Sequence, residues 1–215
     1  MEKLDYRKAY KAQYNPKPGP HLIDLPPAVH LAVDGEGNPN TSPAYQQALE
    51  VLYALSYGIK MSKMDGTQPT GYHEYTVFPL EGLWCLKDLD DITQAFELKD
   101  KSGFLWTSMI RQPDFVTADV VESIRDKVAK KKPGLDLSLA RLYRYEEGLC
   151  VQCLHLGPYD DEPATVRAMA DYIAQQGYVH DFESGRRHHE IYLGDPRKTA
   201  PDKLRTVLRH PIKKA

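Results

Sequence analysis

The part of this chain best suited to chemistry is a carboxylate placed between an imidazole and a phenol. Residues 187–193 alternate in polarity, which predicts a strand. Alternate strand residues share a face, so His188, Glu190 and Tyr192 face one way while Ile191 and Leu193 face the other. A carboxylate that is buried alone loses its hydration at high cost and therefore needs partners. The pattern leaves two interpretations: the exposed face of an antiparallel strand, or an acid that faces a ligand in a concave site.

Other residues that commonly hold metals or cofactors are poorly arranged for that role. Cys150 and Cys153 have the spacing of a metal or redox motif, but they lie in the alternating run 149–156, where residues three apart face opposite sides. His188 and His189 also face opposite sides and follow two arginines, which is consistent with a solvated pair. The sequence has neither a nucleophile elbow nor a dinucleotide fingerprint. We therefore predict no metal and no cofactor.

Composition narrows the classes of partner. The 215 residues carry a net charge of −2, with 41% hydrophobic and 27% charged residues, so we expect a globular protein without a nucleic-acid footprint. The one basic excess, at 197–214, lacks interleaved aromatics and is interpreted as a solvated tail or a closing helix. No apolar run approaches the ~20 residues of a membrane span and no signal peptide is evident, so the expected location is the cytoplasm. Fourteen tyrosines and two tryptophans favour a pocket for a flat aromatic or hydrophobic small molecule.

The order of predicted elements indicates an α+β fold with two similar halves. The first half contains a strand at 29–33, a helix at 44–60, strand segments at 75–80 and 83–86, and a strand at 104–111. The second half contains a strand at 149–156, a helix at 163–176, and strands at 178–182 and 187–193. Between the halves a helix is predicted at 118–132. The remaining expectations are a loop or short helix at 88–96, a turn at 183–185 and a short helix at 202–208.

Each half has the order βαββ, which predicts an internal repeat. Two such units that join their strands form antiparallel sheets with the helices on one side and a central ligand groove at the pseudo-twofold axis. The predicted organisation is an N-terminal arm over residues 1–20 and a single domain over 21–210. The halves of that domain occupy residues 21–115 and 145–195, on either side of the helix at 118–132.

Three segments carry a resemblance to a known family: residues 104–115 (FLWTSMIRQPDF), 157–163 (GPYDDEP) and 186–197 (RRHHEIYLGDPR). Together they resemble the GyrI-like small-molecule-binding domain, in its stand-alone bacterial branch. The resemblance implies tandem βαββ units around a central groove, with a groove-facing glutamate on the last strand that Glu190 matches. Some members hydrolyse cyclopropane-bearing genotoxins and so protect the cell, whereas others only bind drugs. Some relatives act on DNA gyrase, but no feature here is specific for that partner, so DNA gyrase is not expected.

Hydrolysis of a strained ring conjugated to a carbonyl needs a base that activates water and a donor for the oxygen that gains charge. By the resemblance Glu190 matches the first role, and Tyr192 or Tyr145 is a candidate for the second. Flat ligands need aromatic walls. Three residues are candidates, each with core or turn packing as its alternative role: Trp84, Trp106 and Tyr159. The implied function is a cofactor-independent hydrolase of cyclopropanoid compounds. The alternative is a non-catalytic protein that sequesters or senses a drug-like ligand.

Overall fold

The structure is a computed structural model that describes residues 3–87, 101–182 and 186–215. The loop or helix predicted at 88–96 and the turn predicted at 183–185 lie outside these residues. The described helices are α1 (Tyr6–Ala9), α2 (Lys11–Tyr14), α3 (Pro43–Met61), α4 (Ala118–Lys131) and α5 (Glu162–Gln175). The described strands are β1 (His21–Leu25), β2 (Ala28–Glu36), β3 (Leu80–Leu86), β4 (Phe104–Arg111), β5 (Arg141–Tyr145), β6 (Gly148–Leu156), β7 (Tyr178–His180), β8 (His188–Tyr192) and β9 (Arg205–Lys214).

These nine strands form one antiparallel sheet in the order β1-β6-β9-β8-β3-β4-β2-β5, with β7 paired to β9. The middle of the sheet is a seam where β3 pairs with β8. One βαββ unit consists of β2, α3, β3 and β4, and the other consists of β6, α5, β8 and β9. Counted outward from the seam, the strand orders β3-β4-β2 and β8-β9-β6 are equivalent. The predicted α+β class with tandem pseudo-twofold units is confirmed.

The prediction of a short helix at 202–208, or of a solvated tail, is wrong for the basic C-terminal segment. After one turn of 3-10 helix the chain enters β9, which lies between β6 and β8. Val207 and Leu208 are fully buried, and Arg209 and His210 are buried as well. Strand β9 therefore completes the second unit. The short β7, which the sequence analysis placed in that unit, only borders the end of β9.

The outermost strands are exchanged between the two halves. Strand β1 precedes β2 in the chain, yet it pairs with β6 of the other unit. Strand β5 precedes β6, yet it pairs with β2. Each half therefore provides the edge strand of the other half.

The helices of the two units, α3 and α5, cover the same face of the sheet. Cross-strand partners share a face, as do alternate residues of one strand. Trp106 pairs with Trp84 and contacts α3. Next along this face of β3, Gly82 pairs with Glu190. Across β8, Glu190 pairs with Leu208, which packs in a cluster with α5. Glu190 therefore lies on the helix-covered face, between α3 and α5.

Part of the N-terminal segment packs on the opposite face. Helices α1 and α2 place Tyr6 and Tyr14 in the core, and the Tyr14 hydroxyl donates a hydrogen bond to Glu81 at 3.0 Å. The backbone carbonyl of Gln13 accepts a hydrogen bond from Arg209 at 2.9 Å. The segment expected as an arm is thus helical at 6–9 and 11–14 and is tied to the sheet by buried polar contacts.

A buried group of charges lies on this same face. The ring of His189 bridges two carboxylates, with Nδ1 2.8 Å from Glu147 and Nε2 3.0 Å from Glu81. Burial lowers the pKa of His189, but the two carboxylates outweigh it and raise that pKa from 6.5 to about 9. Burial raises the pKa of Glu147, but His189 and Arg209 outweigh it and lower that pKa from 4.5 to about 2. His188 and His189 are both buried, so the prediction of a solvated pair is wrong.

Candidate functional site

Glu190 lies at the centre of the helix-covered face, opposite Gly82 across the seam. Its side chain is 14% exposed. One carboxylate oxygen, Oε1, is 3.1 Å from Nε2 of His188, and the other, Oε2, accepts a hydrogen bond from the Tyr192 hydroxyl at 2.6 Å. His188, Glu190 and Tyr192 share a face, as strand parity predicted. The carboxylate is therefore largely buried and partnered rather than freely solvated.

Trp84 extends this arrangement across the seam. Its indole N–H donates to the Tyr192 hydroxyl at 3.1 Å, so the hydrogen bonds run from Trp84 through Tyr192 to Glu190. The indole position requires glycine at 82, because an added Cβ there would lie 2.6 Å from Nε1 of Trp84. Burial, and then the charge of Glu190, hold the pKa of Tyr192 well above its ordinary value of 10. Tyr192 therefore remains a hydroxyl donor.

A groove of about 1610 Å³ lies above Glu190, between α3 and the turn that precedes α5. Ligand sites for drug-sized molecules commonly have volumes of about 300–1,000 Å³, so this groove has room for a large polycyclic ligand. Its walls are rich in aromatic side chains: Tyr45, Tyr53, Trp84, Phe104, Tyr159 and Tyr192. The Tyr159 ring meets the Tyr192 ring edge-on, with centroids 5.8 Å apart. These surfaces suit flat, apolar molecules.

Helix α3 supplies a wall that the sequence analysis missed. Tyr45, Leu49, Tyr53 and Tyr57 follow one another at intervals of four residues and all line the groove, because such residues share a helix face. That spacing is the signal that could have identified the wall. The helix begins directly after Ser42, whose Oγ accepts a hydrogen bond from the backbone N–H of Tyr45 at 3.3 Å.

Glu162 is a second carboxyl group of the groove that the sequence analysis did not identify. It is the first residue of α5, it is only 4% exposed, and its Oε1 has no hydrogen-bond partner within the described parts of the chain. Burial, and then the charge of Glu190, raise the pKa of Glu162 well above 4.5. A neutral Glu162 can donate a hydrogen bond to a ligand. Acidic residues at the start of a helix commonly cap it, yet Asp161 makes no side-chain capping hydrogen bond.

The structure brings together four of the six predicted site residues, all of which line the groove: Glu190, Tyr192, Trp84 and Tyr159. Trp106 is 1% exposed and packs over Gly35, so it belongs to the core beneath the groove. Tyr145 is placed elsewhere. Its ring meets His189 edge-on at 6.3 Å, on the opposite face of the sheet. Tyr192 is therefore the phenol beside Glu190, and Tyr145 is not in the groove.

The described residues contain neither a cluster of metal ligands nor a helix that could span a membrane. Among them, no group of three or more His, Cys, Asp or Glu side chains is arranged to hold a metal ion. Cys150 and Cys153 are buried and unbridged. Cys153 packs in the cluster with α5, whereas the Cys150 thiol contacts the backbone carbonyl of Glu147. No helix in these same residues is long and apolar enough to cross a membrane.

Two βαββ units around an aromatic groove define a class of small-molecule-binding proteins. The GyrI-like small molecule binding domain matches residues 19–213 of this chain. The chain therefore belongs to the GyrI-like family, as its sequence motifs predicted.

Several solved structures from Listeria innocua are similar over nearly the whole chain. An uncharacterized conserved protein is 45% identical with a TM-score of 0.91, over 98% of this chain and 100% of that one. A protein described as a hydrolase is 42% identical with a TM-score of 0.88, over 98% of this chain and 100% of its own. A further structure described as a hydrolase is 44% identical with a TM-score of 0.89, over 99% of this chain and 100% of its own. No curated protein matches the sequence.

Proposed function

We propose that this protein binds flat hydrophobic molecules in its groove and hydrolyses cyclopropanoid genotoxins without a cofactor, thereby protecting the cell. The observation that carries the proposal is the oriented carboxylate of Glu190 beneath an aromatic groove, held by Tyr192 and Trp84. Membership of a small-molecule-binding family supports the binding. The similarity to proteins described as hydrolases supports the catalysis.

The proposed reaction adds water across a carbon–carbon bond of the strained ring. The water oxygen bonds to a ring carbon while Glu190 removes the proton, and the electron pair of the broken bond moves through the conjugated system to the carbonyl oxygen. The Tyr192 hydroxyl gives its proton to that oxygen and takes the proton from Glu190, 2.6 Å away. Glu162 in its neutral form donates a hydrogen bond to a polar group of the ligand. Glu190 ends the cycle ionised, and one water is consumed.

The second candidate function is binding without catalysis, as in a protein that sequesters or senses a drug. It is favoured by the fact that both oxygens of Glu190 already have hydrogen-bond partners. A carboxylate held in this way also suits a fixed polar contact with a ligand. The two functions differ in stoichiometry, because a binder protects against one toxin molecule per site whereas an enzyme continues.

A cyclopropanoid toxin in large molar excess distinguishes these functions. Mass spectrometry in heavy-oxygen water measures the intact toxin and the ring-opened adduct, and wild type is expected to convert all of it with one labelled oxygen per product. Glu190→Gln preserves shape but removes the base, so the rate should fall by about 100-fold or more. Glu36→Gln, at a largely exposed side chain outside the groove, is the matched control and should retain the rate. Equal amounts of intact toxin with wild type and Glu190→Gln contradict the hydrolase, and protection that ends at one toxin per protein supports binding alone.

A further inference from the structure

An exposed apolar surface continues from the α3 wall of the groove to the end of that helix. Tyr57, which lines the groove, is 49% exposed, and Met61, one turn further along, is 48% exposed. Residues four apart share a helix face. The turn of 3-10 helix that follows α3 carries Met64, which is 71% exposed. Single exposed apolar residues are ordinary, but neighbouring ones of this size are typical of an interaction surface.

Lysines flank the two methionines. Lys60 and Lys63 each directly precede one of them in the chain. The Glu74 carboxylate pairs with Lys63, and the Glu74 carbonyl accepts a hydrogen bond from the backbone N–H of Leu4 at 2.7 Å. This contact brings Lys3, the neighbour of Leu4, to the same place. Partial burial, and then the charges of Lys3 and Lys63, lower the pKa of Lys60, as expected for cations that lie close together.

A fourth lysine extends the positive charge past Met64. The ammonium group of Lys127, on α4, is 3.7 Å from the carboxylate of Asp65, which follows Met64 in the chain. These contacts join four lysines to two carboxylates, an excess of two positive charges on a chain whose net charge is −2. We call this region the methionine–lysine surface, and its apolar and basic members are Tyr57, Met61, Met64, Lys3, Lys60, Lys63 and Lys127.

The chemistry of the methionine–lysine surface fits a bilayer that contains anionic lipids. Methionine is long and flexible enough to enter the acyl region, and tyrosine is favoured at the level of the headgroups. Lysine extends its ammonium group to the headgroups while its methylene chain covers apolar surface. A second copy of this chain fits less well, because a twofold contact would set the same lysines against one another. Contact of this kind is peripheral and needs no spanning helix.

We propose that the methionine–lysine surface docks on an anionic membrane and that the groove takes up its hydrophobic ligands from there. The docking is independent of the proposed function, whereas the uptake rests on it. A flat apolar molecule leaves water for a bilayer for the same reason that it enters the groove, so such ligands are concentrated in membranes. Tyr57 belongs both to the surface and to the groove wall, so docking places the groove beside the bilayer.

Vesicle flotation measures the docking without any ligand. Wild type should bind vesicles of phosphatidylglycerol and phosphatidylcholine roughly 20-fold more tightly than pure phosphatidylcholine vesicles, since each net positive charge near an anionic surface adds about fivefold. Salt at about 0.5 M should remove most of this difference by screening. The double variant Met61→Gln and Met64→Gln should bind the mixed vesicles about tenfold more weakly, because two apolar side chains no longer enter the bilayer. Leu156→Gln, at a 57% exposed side chain outside the groove, is the matched control and should bind as wild type does.

Lysine substitutions isolate the electrostatic part of the docking. The double variant Lys3→Gln and Lys60→Gln should lose the preference for mixed vesicles and keep the weak binding to phosphatidylcholine. Equal binding of wild type and the methionine variant to the mixed vesicles overturns the docking surface. Equal binding of wild type to both kinds of vesicle overturns the anionic partner. A wild-type dimer in sedimentation that dissociates in the methionine variant also overturns the proposal, because the surface then binds a second copy.

Uptake from the bilayer is measured with the cyclopropanoid probe dissolved in the mixed vesicles. Stopped-flow tryptophan fluorescence follows the arrival of the probe, because Trp84 lines the groove. The methionine variant should take up the probe from vesicles about tenfold more slowly than wild type and bind it equally tightly from solution, since neither methionine lines the groove. Equal uptake rates overturn the delivery and leave the docking intact. A wild-type protein that floats with the vesicles but binds no probe overturns the proposed function and the delivery, and not the docking.

Discussion

Replacing His189 with glutamine perturbs the buried charges on the face away from the groove. The imidazolium lies between Glu147 and Glu81, at 2.8 and 3.0 Å. The three side chains are almost completely shielded from solvent, so the electrostatic attraction is weakly screened. Glutamine preserves hydrogen bonding at this position but carries no charge. The substitution therefore isolates the contribution of one proton to stability.

The size and sign of this contribution follow from the pKa of His189. That pKa is about 9 in the folded protein and 6.5 ordinarily, so the folded state holds the proton more tightly. The resulting stabilisation is complete below pH 6.5 and is lost as the pH rises from 6.5 to 9. At about 1.4 kcal/mol per pH unit, wild type should lose about 3 kcal/mol of unfolding free energy across that window.

Urea denaturation at several pH values between 6.5 and 9 measures the effect. His189→Gln should be less stable than wild type at pH 6.5 by about 3–5 kcal/mol, because two buried carboxylates lose a counter-charge. Its stability should then vary little up to pH 9, so the gap between the two proteins narrows. His155→Gln removes a buried imidazole bonded to Thr165 and a backbone carbonyl, and should keep the alkaline decline. A gap between wild type and His189→Gln that stays constant across the window refutes the reasoning.

Two further substitutions test contacts on either face of the sheet. Gly82→Ala should displace the Trp84 indole and weaken ligand binding by about 1 kcal/mol in a fluorescence titration, since one oriented hydrogen bond is lost. Gly134→Ala, where an added Cβ meets no atom within 4 Å, should bind as wild type does, and equal affinities for all three proteins would count against the role given to the indole. Tyr14→Phe should lower the unfolding free energy by about 1–3 kcal/mol, because the buried Glu81 carboxylate loses a donor. An unchanged urea midpoint would show that the N-terminal segment is not held by this contact.

The sequence was sufficient where the information was local. Alternation alone placed His188, Glu190 and Tyr192 on one face of β8, and the helix predicted at 44–60 corresponds to α3. The βαββ order indicated the paired units. These features depend on neighbours in the chain, which is why a single sequence reveals them.

The remaining features depend on partners far apart in the chain. The segment 205–214 is basic and contains Pro211, which disfavours a central strand. It is nevertheless a central strand that pairs with β6 and β8, and Glu147 and Gln152, about sixty residues earlier, bind Arg209. In the sequence Glu162 is a typical acidic residue at the start of a helix. Its burial depends on the tertiary structure and is therefore not predictable from the local pattern. Local sequence patterns do not predict these long-range contacts.

The exchange of β1 and β5 between the halves interlocks them, as strand exchange interlocks the subunits of a dimer. A chain of half the length would leave one edge of β2 or β6 unpaired. It would complete its sheet only by strand exchange with a second copy. The present chain is thus equivalent to an intertwined dimer joined into one polypeptide through α4. Each half pairs with a strand of the other half, and the two halves are joined by the pairing of β3 with β8. These pairings oppose a hinge motion that would separate the halves. A change in the shape of the groove therefore has to come from α3, from the turn before α5 or from the aromatic side chains that line it, and not from rotation of one half against the other.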